Sequence, residues 1–158
     1  MPSISSEQWQ SYDQDGFLPL GRTLEPARVQ VLVGRMNAIM LGEIQYPQML
    51  MQLDGGGAYD SMPEMTRGFK GPRLDYRKIE DLEKDELFLN FMQNPTFREA
   101  CGRVYGSATS ISIYRAMFMN KPARKGTDLP WHQDGGRNWN LDPEPLLTAW
   151  TALTPATP

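Results

Sequence analysis

Histidine is nearly absent: His132 is the one histidine in 158 residues. A single chain therefore cannot supply a two-histidine metal site or the paired histidines of a HExxH helix. Cysteine is as scarce. Cys101 stands alone, which excludes an intrachain disulfide and fits a reducing compartment. A basic excess is missing too. Lys and Arg total 16 against 19 Asp and Glu, a net charge of −3, which argues against a nucleic-acid binder that relies on a basic face. No apolar run approaches the ~18 residues a membrane span needs. The opening MPSISSEQWQSYDQDG is polar and acidic, without the basic start and apolar stretch of a secretory signal. The expectation is a single cytoplasmic domain with neither nucleic acid nor membrane as partner.

Loop-forming residues are plentiful, with Gly 14 and Pro 13, and 40% hydrophobic content is enough for a packed core. Ser5 with Gln8 forms a capping-box pattern ahead of a short helix that Gly16 can stop. Phe17–Leu20 reads as a short extended piece, limited by Pro19 to an edge or an isolated strand. A second helix is expected over Glu25–Leu41, capped by Thr23, with Val29, Leu32, Val33, Met36, Ile39 and Met40 on one face. Residues 43–76 read as irregular, punctuated by Pro47, Pro63, Pro72 and the Gly55-Gly56-Gly57 triplet. They are either a solvated connector or a substrate lid. The triplet lacks the GK[ST] of a phosphate loop. Two more helices are expected over Lys84–Gln93 and Pro95–Tyr105, the latter capped by Asn94, with Glu80–Glu86 as a solvated acidic face. The period then changes to two: Thr109–Met119 and Leu146–Leu153 read as strands, with Trp131–Asp134 extended between them. Helices followed by strands imply an α+β fold.

The informative tetrapeptide is Trp131-His132-Gln133-Asp134. Side chains at i and i+2 of an extended backbone share a face, so His132 and Asp134 can converge on one ion. Such a pair is two thirds of the 2-His-1-carboxylate triad that holds Fe(II) and leaves the remaining positions open. Taken alone the pattern is weak and reads first as a surface histidine beside an aspartate.

The segment MFMNKPARKGTDLPWHQDGGRNWNLDPEPLLTAWTALTPAT sets it in context. Asn-Lys-Pro, a turn, Pro-Trp-His-Gln-Asp, a loop and a strand carrying Thr-Ala-Trp-Thr-Ala-Leu follow in order. The ordered set resembles the phytanoyl-CoA dioxygenase family of Fe(II)/2-oxoglutarate oxygenases. Tyr12-Asp13-Gln14-Asp15-Gly16-Phe17 is similar to that family's opening helix and turn. The likeness is specific over about residues 114–156. It implies a double-stranded β-helix, a jelly-roll fold of which these residues form the first strands. It also implies Fe(II) and 2-oxoglutarate as cofactors and hydroxylation of a small molecule. His132 and Asp134 match the first two iron ligands; Asp134, where halogenases lack the carboxylate, favours hydroxylation. Met117 and Trp150 match positions lining the 2-oxoglutarate pocket, Lys78 the lysine reaching toward the co-substrate, and Gln133 a residue near the substrate. Without the family, Trp150 reads as a core aromatic, Met117 as packing, Lys78 as a solvated charge and Arg137 as a loop charge.

The family pattern also needs a second iron-binding histidine and a downstream arginine that grips the distal carboxylate of 2-oxoglutarate. His132 is the one histidine, and nothing basic follows Trp150. An eight-strand jelly roll cannot close on three or four strands. The expectation is therefore an N-terminal, C-terminally truncated oxygenase domain over residues 1–158, helical and looped to about 106 and stranded from about 107, with little activity alone. A non-catalytic binding or oligomerisation module is the other reading, with unpaired sheet edges associating and two copies of His132 meeting on one metal. One histidine and no cysteine cluster argue against a zinc hydrolase.

Overall fold

A computed structural model describes residues 4–121, 126–132, 134, 135 and 147–155. Helix α1 covers Ser6–Asp15. Its N-terminus is closed by the expected box: Gln8 N–H donates to Ser5 Oγ at 3.2 Å, and Ser5 N–H donates to Gln8 Oε1 at 3.0 Å. Helix α2 covers Pro26–Leu41 and begins without a side-chain cap. Thr23, expected to cap it, instead offers its carbonyl to the Asn94 amide at 3.3 Å. Helix α3 covers Glu86–Met92 and α4 covers Pro95–Tyr105. Asn94 caps α4 by accepting from Thr96 N–H at 2.9 Å, with Pro95 in the first turn.

The strands depart from the sequence reading. Residues 43–76, read as irregular, contain β1 (Leu50–Leu53) and β2 (Thr66–Arg67) and lead into β3 (Tyr76–Glu80). Strand β4 is Met117–Met119, so the expected strand over Thr109–Met119 is confined to its last three residues. The reason is the partner. β4 pairs antiparallel with Lys78, Ile79 and Glu80, and beyond Glu80 the chain turns away through Asp81 at φ 69°. Upstream of Met117 there is then no ladder to join, and Ile111, Ile113 and Tyr114 lie exposed. Among the described residues, Phe17–Leu20, the 131–134 segment and residues 147–153 form no strand.

The four strands make one antiparallel sheet in the order β2-β1-β3-β4. Together with the helices this is an α+β arrangement. A second sheet facing the first, as a jelly roll requires, is not among the described residues. Met51 opposes Ile79 across β1 and β3. Both join Leu32, Met36, Ile39 and Met40 of α2, with Met49, Tyr76, Leu82 and Phe88, in one buried cluster. Each such side chain contributes roughly 1.5–3 kcal/mol by leaving water. Among the described residues, no helix is long and apolar enough to cross a membrane. Burial pushes the Cys101 thiol up from its ordinary value, so it stays protonated and poorly nucleophilic.

The acidic stretch Glu80–Glu86 is not a uniformly solvated face. Glu80 is 5% exposed and Asp85 1%. Asp85 caps α3 by accepting from Leu87 N–H at 2.9 Å and Phe88 N–H at 3.4 Å, and also accepts from the Tyr46 hydroxyl at 2.7 Å. Asp85 tolerates such burial because both of its oxygens are engaged.

Candidate metal site and adjoining sheet face

His132 and Asp134 lie side by side on a segment outside the sheet. His132 Nε2 is 3.2 Å from Asp134 Oδ1, and the two side chains are 49% and 48% exposed. The other ring nitrogen, Nδ1, is 2.8 Å from the Pro130 carbonyl oxygen. A carbonyl only accepts, so Nδ1 carries the proton there. In the neutral ring Nε2 is then a lone pair aimed at a carboxylate oxygen. Two lone pairs at that separation repel each other unless a proton, a water or a cation lies between them. Ligand bonds of about 2.1 Å at right angles put adjacent donors about 3 Å apart. The imidazole–carboxylate set suits Fe(II) and related divalent ions, and a carbonyl partner on the far nitrogen is the usual second support of a ligating histidine. These residues therefore fit two positions of an iron site. Among the described residues, no group of three or more His, Cys, Asp and Glu side chains is placed to hold a metal.

Two other residues singled out by sequence share a sheet face. Lys78 on β3 opposes Met119, and Glu80 opposes Met117. Opposed residues and residues two apart point to the same side, so Lys78, Glu80, Met117 and Met119 stand together. Lys78 is no solvated charge: its Nζ lies 2.6 Å from Glu80 Oε1, at 17% side-chain exposure. Arg115 Nε lies 3.6 Å from the other oxygen, Oε2. Sequence reasoning missed Glu80, because its acidic neighbours made it look like surface.

Trp150 is not gathered with these: it is 75% exposed, away from any ladder. Gln133 and Arg137 lie outside the described residues. Among the described residues, no hydrogen bond or ion pair joins His132 or Asp134 to Lys78. Asn120 of the Asn-Lys-Pro motif has a structural task. The Asn120 amide donates to the carbonyls of Leu74 and Tyr76, both at 2.9 Å, pinning the exit of β4 to the start of β3.

A further group was legible only in part. Asp54, at the end of β1, accepts from Gly56 N–H at 2.7 Å, from Thr127 N–H at 3.2 Å and from the Thr127 hydroxyl at 2.9 Å. Asp-Gly announces a turn, but nothing local announces a partner 73 residues away. Burial works to raise the Asp54 carboxyl. The hydrogen bonds from Gly56 and Thr127, with the charge of Arg77, outweigh it and hold the carboxyl below its ordinary 3.8.

The family model for phytanoyl-CoA dioxygenase (PhyH) matches residues 12–158. No curated protein and no solved structure matches the chain.

Proposed function

Because the chain belongs to the phytanoyl-CoA dioxygenase family, we propose that it is an Fe(II)/2-oxoglutarate-dependent oxygenase that hydroxylates a small molecule. The observation that carries this is the His132–Asp134 pair: an imidazole with its proton committed to Pro130, and its free nitrogen 3.2 Å from a carboxylate oxygen. Iron bound there would supply the one-electron chemistry that activates oxygen, with 2-oxoglutarate as co-reductant. The chain's own residues do the rest. His132 and Asp134 offer two donors on one side and leave the other side open to solvent and ligands. Lys78, with Met117 beside it on the sheet face, is the proposed support for the co-substrate, and Trp150 a lining residue of its pocket. Gln133 is the proposed substrate contact.

His132 is the one histidine in these 158 residues, so a second histidine ligand, if the family triad is complete, comes from outside them. The four-stranded sheet is proposed as the start of a double-stranded β-helix. The lone Cys101 supports a reducing, cytoplasmic setting.

Titration with Co(II), a spectroscopic stand-in for iron, tests the assignment. The expected result is that metal shifts the His132 ring signals, and that His132→Ala and Asp134→Ala each weaken binding at least tenfold. Cobalt affinity indifferent to both substitutions would end the oxygenase reading for this pair.

A further inference from the structure

The segment that delivers His132 is held at one buried point. Thr127 is 4% exposed, whereas Asp128, Leu129, Pro130, Trp131 and His132 are all exposed. No ladder bond secures residues 126–132. What secures Thr127 is Asp54: Oδ1 accepts from the Thr127 hydroxyl at 2.9 Å, and Oδ2 from the Thr127 backbone N–H at 3.2 Å. The same Oδ1 accepts from Gly56 N–H at 2.7 Å. One carboxylate thus clasps the start of the triple-glycine loop to the start of the metal-pair segment. A carboxylate is the group this needs, because both of its oxygens accept and the donors approach from both sides. An amide in its place would turn an N–H₂ toward one of them.

We infer that Asp54 is a positioning residue for the His132–Asp134 pair, acting through Thr127. The clasp fixes the start of the segment against the end of β1; the Pro130 carbonyl then fixes which ring nitrogen faces Asp134. The inference rests on reading His132 and Asp134 as a metal pair, and its test is chosen to be independent of metal.

The single histidine gives one set of imidazole signals, so no assignment is needed. In ¹⁵N spectra of the metal-free protein at about pH 9, where imidazoles are neutral, the wild type is expected to show the Nδ1–H form. Asp54→Ala is expected to move both ring nitrogens toward the averaged values of a free, tautomer-exchanging ring. Thr127→Val, which keeps the backbone donor and loses the hydroxyl, should move them part of the way, and Thr127→Ser should restore them. The double variant should move them no further than Asp54→Ala alone. Co(II) affinity should fall 10- to 100-fold in Asp54→Ala, the usual effect of losing an outer support. Ring signals in Asp54→Ala and Thr127→Val that superimpose on the wild type would overturn the inference. If Asp54→Ala does not fold, Thr127→Val and Thr127→Ser decide it. Failure of the metal reading looks different: cobalt would leave the wild-type ring untouched while Asp54→Ala still altered it.

Discussion

Tyr46 and Asp85 meet in the core at 2.7 Å, with Arg35 Nη1 at 3.5 Å from the same carboxylate oxygen. Removing the hydroxyl by Tyr46→Phe leaves a carboxylate that is 1% exposed short of one donor. The expected cost is about 1–3 kcal/mol, read as a lower urea midpoint. Burial, and then the hydrogen bond to Asp85 and its charge, raise the Tyr46 phenol above its ordinary 10.0, with Arg35 working against them. A group raised on folding stabilises fully below its unfolded value and loses that contribution as pH rises through the folded one. The gap between wild type and Tyr46→Phe should therefore hold steady through neutral pH and shrink above about pH 10. A gap that does not shrink would mean the phenol titrates alike in both states. Asp54 has the opposite sign. Its folded carboxyl is held below 3.8, so its contribution is present above that value and lost as pH falls through the folded one. The stability difference between wild type and Asp54→Asn should close below about pH 4, as acid denaturation curves would record. Glu80 and Asp85 are the residues the sequence reading misplaces, and it does not single out Asp54. A carboxylate's burial is decided by partners dozens of positions away, and local polarity points the wrong way.

Caps are local, which is why the helices were legible within a residue or two while the strands were not. Ser5 with Gln8, Asn94 with Pro95, and Gly42 after α2 each announce a helix end within four residues. By contrast β1 is a Leu-Met-Gln-Leu run hidden among prolines and glycines, made a strand by Ile79 and Lys78 opposite it. The glycine inside α2 and the glycine that ends it separate these kinds of information. Gly42 sits at φ 81°, and a Cβ there would come 2.5 Å from the Phe69 ring. Gly42→Ala should cost about 1–2 kcal/mol for the left-handed backbone and about 1–3 more for overpacking. Gly34 lies in the helix interior with nothing within 4 Å of its added Cβ. Gly34→Ala should gain about 0.5–1 kcal/mol. Thermal midpoints moving in opposite directions check both; a Gly42→Ala cost of only about 1–2 kcal/mol would show that the Phe69 contact does not hold in solution, and equal shifts that the left-handed backbone does not either.

Across the whole molecule, the chemistry-bearing residues were legible and their arrangement was not. The His-x-Asp spacing is visible in four letters. The Pro130 contact to the ring is local, two residues away, but that Asp54 would pin Thr127 rests on a partner 73 residues off, and that Lys78 would stand over Glu80 rests on the strand that β1 and β4 make of β3. The apolar side chains are also unevenly placed: the core lies between α2 and the sheet, while Trp131 and Trp150 are exposed. The proposed site has two protein donors among the described residues, and one histidine in 158 residues. Coordination by two donors leaves the other ligand positions of a divalent ion to small molecules. Free imidazole at millimolar concentration is the side-chain group such a site lacks. It should therefore bind alongside His132 and Asp134, and the Co(II) absorption band should intensify without loss of the metal-induced shift of the His132 ring. In His132→Ala or Asp134→Ala the same imidazole should produce only the spectrum of the free cobalt–imidazole complex. If imidazole strips cobalt from the wild type instead, the two residues do not form an open site, and the pair is an ordinary surface ion contact.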